Sequence, residues 1–264
     1  MGGKERADKI LVERELAGSR QKAQALIMAG LVYSEGIRIE KPGQMLKKDQ
    51  KLHVDDGMLY VGRGGLKLQE ALETFHISAN DAVAVDLGAS TGGFTDCLLQ
   101  RGAKKVYAVD VDTRQIDWQL RKDPRVVLIE KNARYLKEDD FDEAIDIVTT
   151  DLSFISVLKV LPAVQGWIGY GLLLSLIKPQ FEVGRDQVGK KGIVRDPSLH
   201  EEVLRRMVSE AREMGWNTRG VMRVSLKGQK GNREFFILWS ASKPPLSHEE
   251  EERSIKEAVW NEEN

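Results

Sequence analysis

Residues 86–94 read Asp86-Leu87-Gly88-Ala89-Ser90-Thr91-Gly92-Gly93-Phe94, directly after the apolar run that begins at Val83. The loop closes a strand and opens a helix. Glycines at 88, 92 and 93 let the backbone approach a ligand and tolerate positive φ, and a helix start presents N–H groups. Outward from this loop, buried-strand runs alternate with helical stretches: Val83 to Leu87, Val106 to Val109, Val126 to Ile129, Ile145 to Thr149 and Leu172 to Ile177. Such alternation predicts an α/β domain, a mostly parallel sheet covered by helices on both faces. A long amphipathic stretch, Ser198 to Met214, follows. The strands Gly220 to Val224 and Glu234 to Trp239 then form a closing hairpin.

The loop's spacing, Asp-x-Gly-x-x-x-Gly-Gly, differs from the Gly-x-Gly-x-x-Gly turn that cradles a dinucleotide pyrophosphate. S-adenosylmethionine carries an ammonium and a sulfonium but no phosphate, so a carboxylate such as Asp86 suits its charge. That cofactor is preferred, with Gly88, Ser90, Thr91, Gly92, Gly93 and Phe94 lining it. Asp110 ends the next strand, 24 positions on, near the spacing of about 20 at which a carboxylate meets ribose hydroxyls. Asn132, after the third strand, is expected beside the adenine edge. Read singly, these residues fit ordinary turn chemistry equally well.

The net charge of −1 hides an uneven distribution. Residues 1–54 hold 11 Lys and Arg against 7 Asp and Glu, whereas the segment from Ala241 holds 3 against 7. The Glu249–Glu252 run predicts a solvated, frayed tail. Residues 6–29 are patterned as two short helices broken at Ala17-Gly18-Ser19. The stretches Ile37 to Glu40 and Lys51 to Val54 read as strands with the turn Lys41-Pro42-Gly43 between them. The strings Arg6-Ala-Asp-Lys-Ile-Leu-Val, Ser19-Arg-Gln-Lys-Ala and Ile27-Met-Ala-Gly-Leu-Val resemble the small α+β RNA-binding domain named after ribosomal protein S4. The resemblance implies that Arg6, Lys9, Ser19, Arg20 and Lys22 face RNA. Charge alone is equally consistent with a solvated helical face.

Lys67, Asp151, Lys178 and Glu234 arrive in the order Lys, Asp, Lys, Glu, three of them at strand ends. This resembles the FtsJ-like 2′-O-ribose methyltransferases, and implies a Rossmann-like domain with a seven-stranded sheet that moves a methyl group from S-adenosylmethionine to a ribose hydroxyl. By that analogy Lys178 is the base, Lys67 depresses its pKa, Asp151 orients it and Glu234 fixes the hydroxyl. Taken alone, Lys67 would be a surface helix residue and Lys178 a snorkelling strand end. Further strings are Tyr60-Val-Gly-Arg-Gly-Gly-Leu-Lys67, Lys178-Pro-Gln-Phe-Glu182 and Lys190-Lys-Gly-Ile-Val-Arg-Asp196. With them the chain resembles the TlyA family over residues 5–240. That implies cytidine targets in 16S and 23S ribosomal RNA and recognition of the ribosome or its subunits, with Arg63 joining the RNA face. The loops 185–195 and 227–233, rich in Gly, Lys and Arg, are RNA clamps or mobile loops without a partner.

The expected division is 1–58, RNA-binding unit with linker; 59–242, methyltransferase domain; 243–264, acidic tail. One cysteine, Cys97, leaves neither an intrachain disulfide nor a cysteine-based zinc pattern, so no metal is expected. The first 25 residues are charged throughout, and no apolar run reaches about 18 residues, so a cytoplasmic protein without membrane contact is expected. Three rivals stand beside the ribose reading. A base nitrogen as acceptor would favour Pro-Pro after the strand-end acid, which Asp151-Leu-Ser-Phe154 lacks. Phe154 either stacks on a nucleobase or fills the core. A non-catalytic ribosome-assembly factor would not need an intact tetrad, and a haemolysin would need apolar surface or export.

Overall fold

In the computed structural model the described residues are 4–35, 37–54, 59–184, 187–189, 192–228 and 231–261. The side chains of Lys22, Ala25 and Ala29 lie outside that description. The chain divides into two units, Met1–Leu59 and Tyr60–Asn264.

In the first unit, β1 (Lys4–Arg6) leads into α1 (Ala7–Glu13) and α2 (Arg20–Ala29). Four short strands follow: β2 (Val32–Ser34), β3 (Ile37–Arg38), β4 (Met45–Lys47) and β5 (Leu52–Val54). β1 pairs antiparallel with β4, and β2 pairs antiparallel with both β3 and β5. The strand expected over 37–40 pairs regularly only over Ile37–Arg38, with one further bond from the Ile39 N–H to the Val32 carbonyl. The carbonyls of Pro42 and Gln44 accept the N–H groups of Asp8 and Ala7, which open α1 and would otherwise lack partners. Ala7, Ile10, Leu11, Ala23, Ile27, Val32, Ile39 and Leu46 form a small core.

In the second unit the elements run α3 (Gly64–Thr74), β6 (Val83–Leu87), α4 (Gly93–Gln100), β7 (Lys105–Asp110), β8 (Val126–Glu130) and β9 (Ile147–Thr150). They continue as α5 (Leu161–Gln165), β10 (Leu172–Ile177), α6 (Pro179–Glu182), α7 (Pro197–Glu213), β11 (Asn217–Arg223), β12 (Phe235–Ser240) and α8 (His248–Trp260). The seven strands lie in the order β11-β12-β10-β9-β6-β7-β8. β10, β9, β6, β7 and β8 are parallel, and β12 closes the sheet antiparallel to β10 and β11. The chain order reverses between β6 and β9, which opens a crevice at the strands' carboxyl ends.

Strand alternation distributes the core over two faces. Val83, Val85 and Leu87 join Trp216, Trp239 and the inner faces of α7 and α8 on one side. Ala84 turns to the other side, towards Leu68 and Leu72 of α3 and Leu98 of α4. The tail departs from expectation. Residues 248–260 are helical, opened by a capping box between Ser247 and Glu250, with Glu251, Ile255, Ala258 and Val259 buried. Arg212 binds Glu251 and Arg205 binds Glu252, so α7 neutralises two of the four acids of the run.

Candidate active site

The glycine loop between β6 and α4 is held from two sides. Gly92 has φ 96°, and a Cβ there would lie 2.3 Å from Leu120. Gly93 meets the second glycine string of the chain: a Cβ on it would stand 3.1 Å from the Gly65 nitrogen and 3.2 Å from the Gly62 carbonyl oxygen. Two backbones thus touch where side chains would part them. The Val61 N–H adds a 2.8 Å bond to Asp96 of α4. The start of α3 is fastened to the loop in this way, and one turn on lies Lys67, buried.

Four of the loop's N–H groups point inward. Gly88 and Ala89 donate to the Val109 carbonyl, Gly92 to Ala89, and Ser90 to Asp110 Oδ2 at 2.8 Å. Ser90 and Thr91 are exposed, Gly88 partly so, and Phe94 is buried against Phe236. Asp110 also accepts the Asp112 N–H, and Asn132 caps a following turn by accepting the Arg134 N–H.

Asp86 differs from the sequence-based picture of an open strand-end charge. On β6 it shares the parity of Ala84, so it points towards α4 and is fully buried. Its oxygens accept the hydroxyls of Thr95 at 2.7 Å and Thr149 at 3.1 Å. Burial pushes its carboxyl up to about 7, against the hydrogen bonds from Thr95 and Thr149.

Lys67, Asp151, Lys178 and Glu234 form two ion pairs. Lys67 Nζ is 2.5 Å from Glu234 Oε2, and Lys178 Nζ is 2.5 Å from Asp151 Oδ1 and 3.0 Å from Ser153 Oγ. Register relates the pairs. Ile177 of β10 faces Phe235 of β12, so Lys178 and Glu234 occupy the next rung. Asp151 follows β9 and donates its N–H to the Leu87 carbonyl. A Cβ on Gly64 would lie 3.8 Å from Asp151 Oδ2, which brings the first turn of α3 to the same edge. Phe154, at φ 65°, is 90% exposed, so it does not fill the core; it lies 5.0 Å from the Phe181 ring.

Arg6, Lys9 and Arg20 belong to the first unit, where Asp8 is fully buried and organises two of them. Arg6 reaches both Asp8 oxygens at 2.9 Å, and Arg20 Nε reaches Oδ2 at 3.0 Å. Gln24 adds a bond of 2.9 Å to Oδ2. These partners, Arg6 foremost, hold the carboxyl well below its ordinary range. Lys9 pairs loosely with Glu5 at 3.6 Å, and Ser19 directly precedes α2. In the second unit, Arg63 donates to the Lys227 carbonyl.

Sequence reasoning passed over the residues that hold the site. Thr95 and Thr149 clasp Asp86, while buried Asn232 accepts the Val194 N–H at 3.0 Å and donates to the Gly192 carbonyl. That clasp ties the described parts of loops 185–195 and 227–233 together. Arg185, Asp186, Lys190, Lys191, Gln229 and Lys230 lie outside the described residues. Among the described residues no helix is long and apolar enough to cross a membrane. Nor does any group of three or more His, Cys, Asp and Glu there have the disposition to hold a metal.

Residues 60–241 match the FtsJ-like methyltransferase model, and residues 5–52 match the S4 domain. The 16S/23S rRNA (cytidine-2′-O)-methyltransferase TlyA of Mycobacterium tuberculosis is 44% identical over 90% of each chain. YqxC of Bacillus subtilis strain 168, provisionally named an rRNA methyltransferase, is 48% identical over 89% of this chain and 85% of its own. A solved structure from Streptococcus thermophilus, called a hemolysin, superposes with TM-score 0.75 at 41% identity, over 98% of this chain and 95% of that one. The paired lysines and carboxylates at the carboxyl edge of this sheet thus sit in a chain that belongs to the FtsJ-like methyltransferases, of TlyA type, with an S4 domain ahead of the catalytic fold.

Proposed function

We propose that the chain transfers the methyl group of S-adenosylmethionine to the 2′-hydroxyl of cytidine in ribosomal RNA, in the 16S molecule, the 23S molecule or both. The observation that carries this reading is the pair of lysine–carboxylate contacts at the carboxyl edge of the sheet. The glycine loop fits the cofactor, because four of its N–H groups, those of Gly88, Ala89, Ser90 and Gly92, are spent on Val109, Ala89 and Asp110. A pyrophosphate would need them free, whereas a phosphate-free ligand does not. Gly88, Ser90, Thr91, Gly92, Gly93 and Phe94 would line it. Asp110 would take the ribose hydroxyls with its remaining lone pairs and Asn132 the adenine edge, while Asp86, buried on Thr95 and Thr149, would brace the loop from behind.

When bound, S-adenosylmethionine supplies an electrophilic methyl carbon. Lys178, once it has released its own proton to solvent, would take the proton of the 2′-hydroxyl as that oxygen is methylated. Asp151, already in contact with Nζ, stabilises the ammonium that results. Glu234, oriented by Lys67, positions the hydroxyl. Phe154 offers a face for the target base, Arg6 and Arg20 of the S4 unit hold RNA phosphates together with Lys9, Ser19 and Lys22 of the same unit, and Arg63 of the second unit adds a further cation for RNA. Residues 1–58 are the RNA-binding part and 59–242 the transferring part of this scheme, which places the work in the cytoplasm.

The test is methylation of 30S and 50S subunits lacking the modification, with mass mapping of ribose 2′-O-methyl groups. The expected result is methylated cytidine in at least one rRNA. Methylation confined to base nitrogens, or none with either subunit, overturns the reading.

A further inference from the structure

The loop between β9 and the turn Val157–Lys159 carries Asp151 and Phe154, and it is joined at successive points to the segment that follows β10. Asp151 and Ser153 contact Lys178, and Phe154 contacts Phe181. The last contact belongs to a residue that the scheme above leaves unused. Glu182, 8% exposed, accepts the Val157 N–H on Oε1 at 3.1 Å.

A carboxylate is a poor choice for filling that space. Burial pushes the Glu182 carboxyl up, opposed by hydrogen bonds from Ser156 and the Val157 N–H. Its Oε2 has no hydrogen-bond partner among the described residues, with the Arg206 guanidinium 4.0 Å away. An apolar side chain of similar volume would be neutral or stabilising at such a place. What it could not supply is an acceptor for Val157.

We propose that Glu182 is a positioning residue for methyl transfer, fixing the 151–157 loop on the 178–182 segment so that Asp151 meets Lys178 and Phe154 faces the substrate. The inference rests on the reading of Lys178 and Asp151 given above. Phe154 sits in a left-handed conformation that a non-glycine residue keeps only when its surroundings enforce it, and the bond from Val157 to Glu182 closes the loop three residues later. Without that bond the loop end is free to shift, and a displacement of about 1 Å at a reacting centre costs about a hundredfold in rate.

Two variants separate positioning from packing, with Lys178→Ala as reference. Glu182→Leu keeps the volume and loses the acceptor; Glu182→Gln keeps the amide oxygen for Val157. With 50S and 30S subunits as substrate, Glu182→Leu should fold, bind S-adenosylmethionine as the parent does, and lose about ten- to a hundredfold in kcat. It should also show a raised KM for subunits, because Phe154 is displaced. Glu182→Gln should restore kcat to within about threefold of the parent. Parental turnover in the Leu variant, equal losses in both variants, or a loss matched by a smaller folded fraction overturns the proposal. If Lys178→Ala itself remains active, the reading of the pairs falls and this inference with it. If that variant is dead while Glu182→Leu is normal, only the role of Glu182 falls.

Discussion

Asp8 in the S4 unit and Asp86 in the methyltransferase unit are the same kind of residue, equally buried, and they titrate in opposite directions. Asp8 has two guanidiniums and an amide on its oxygens, and its carboxyl is held low. Asp86 has two threonine hydroxyls and no cation, and its carboxyl is pushed up to about 7. The pairs Lys67–Glu234 and Lys178–Asp151 stand between them at one cation per carboxylate. Depth of burial and the cations around an acid set its charge together. Two arginines on one aspartate leave a surplus positive charge and unused N–H donors, which suits a phosphodiester. One lysine on one carboxylate is neutral overall, which suits moving a proton.

The largest effect should come from breaking a one-to-one pair. Lys178→Ala should lower the methylation rate at least about a hundredfold while isothermal titration shows unchanged S-adenosylmethionine binding. Turnover near the parental rate would remove Lys178 as base. A smaller effect, of informative sign, is expected at Asp8. Asp8→Asn deletes a negative charge from the unit proposed to hold RNA, so simple electrostatics predicts tighter binding. Loss of the arginine alignment predicts weaker binding of 50S subunits, by about three- to tenfold, measured by filter binding at fixed salt. An affinity gain would show that the arginines need no organiser.

A third effect, read in stability and not in rate or affinity, concerns Asp86. Its native pKa lies above the unfolded one, so its contribution to stability is full below about pH 4 and is lost as pH rises through about 7. Between pH 5 and pH 8 this amounts to about 2–3 kcal/mol. Asp86→Asn should flatten that slope in thermal melts, whereas an equal slope in both proteins would mean that Asp86 is ionised throughout. Asp8 has the opposite sign, contributing above its unfolded pKa and losing its contribution as pH falls.

The sheet was legible because strands buried on both faces read as unbroken apolar runs; Val83–Leu87 and Leu172–Ile177 were bounded without error. β11 was not, since Asn217 to Arg219 alternate too weakly to mark a strand, and a register shift follows Thr218. The order of Lys67, Asp151, Lys178 and Glu234 was visible, but their pairing depends on rungs between strands distant in sequence. Asp86 was placed on the right strand end, yet nothing in the sequence says which face of the sheet its parity selects. Glu182 and Asn232 escaped notice because a lone polar residue does not announce its burial. The tail was misjudged on charge alone, although Ser247 with Glu250 is a capping box and Ile255, Ala258 and Val259 keep helical spacing.

All five tryptophans, at 118, 167, 216, 239 and 260, fall in the second unit, with Trp216 and Trp239 in its core. Tryptophan emission is therefore a meter for the second unit and is silent on the first. A calorimetric transition without a matching change in emission would be the S4 unit melting by itself.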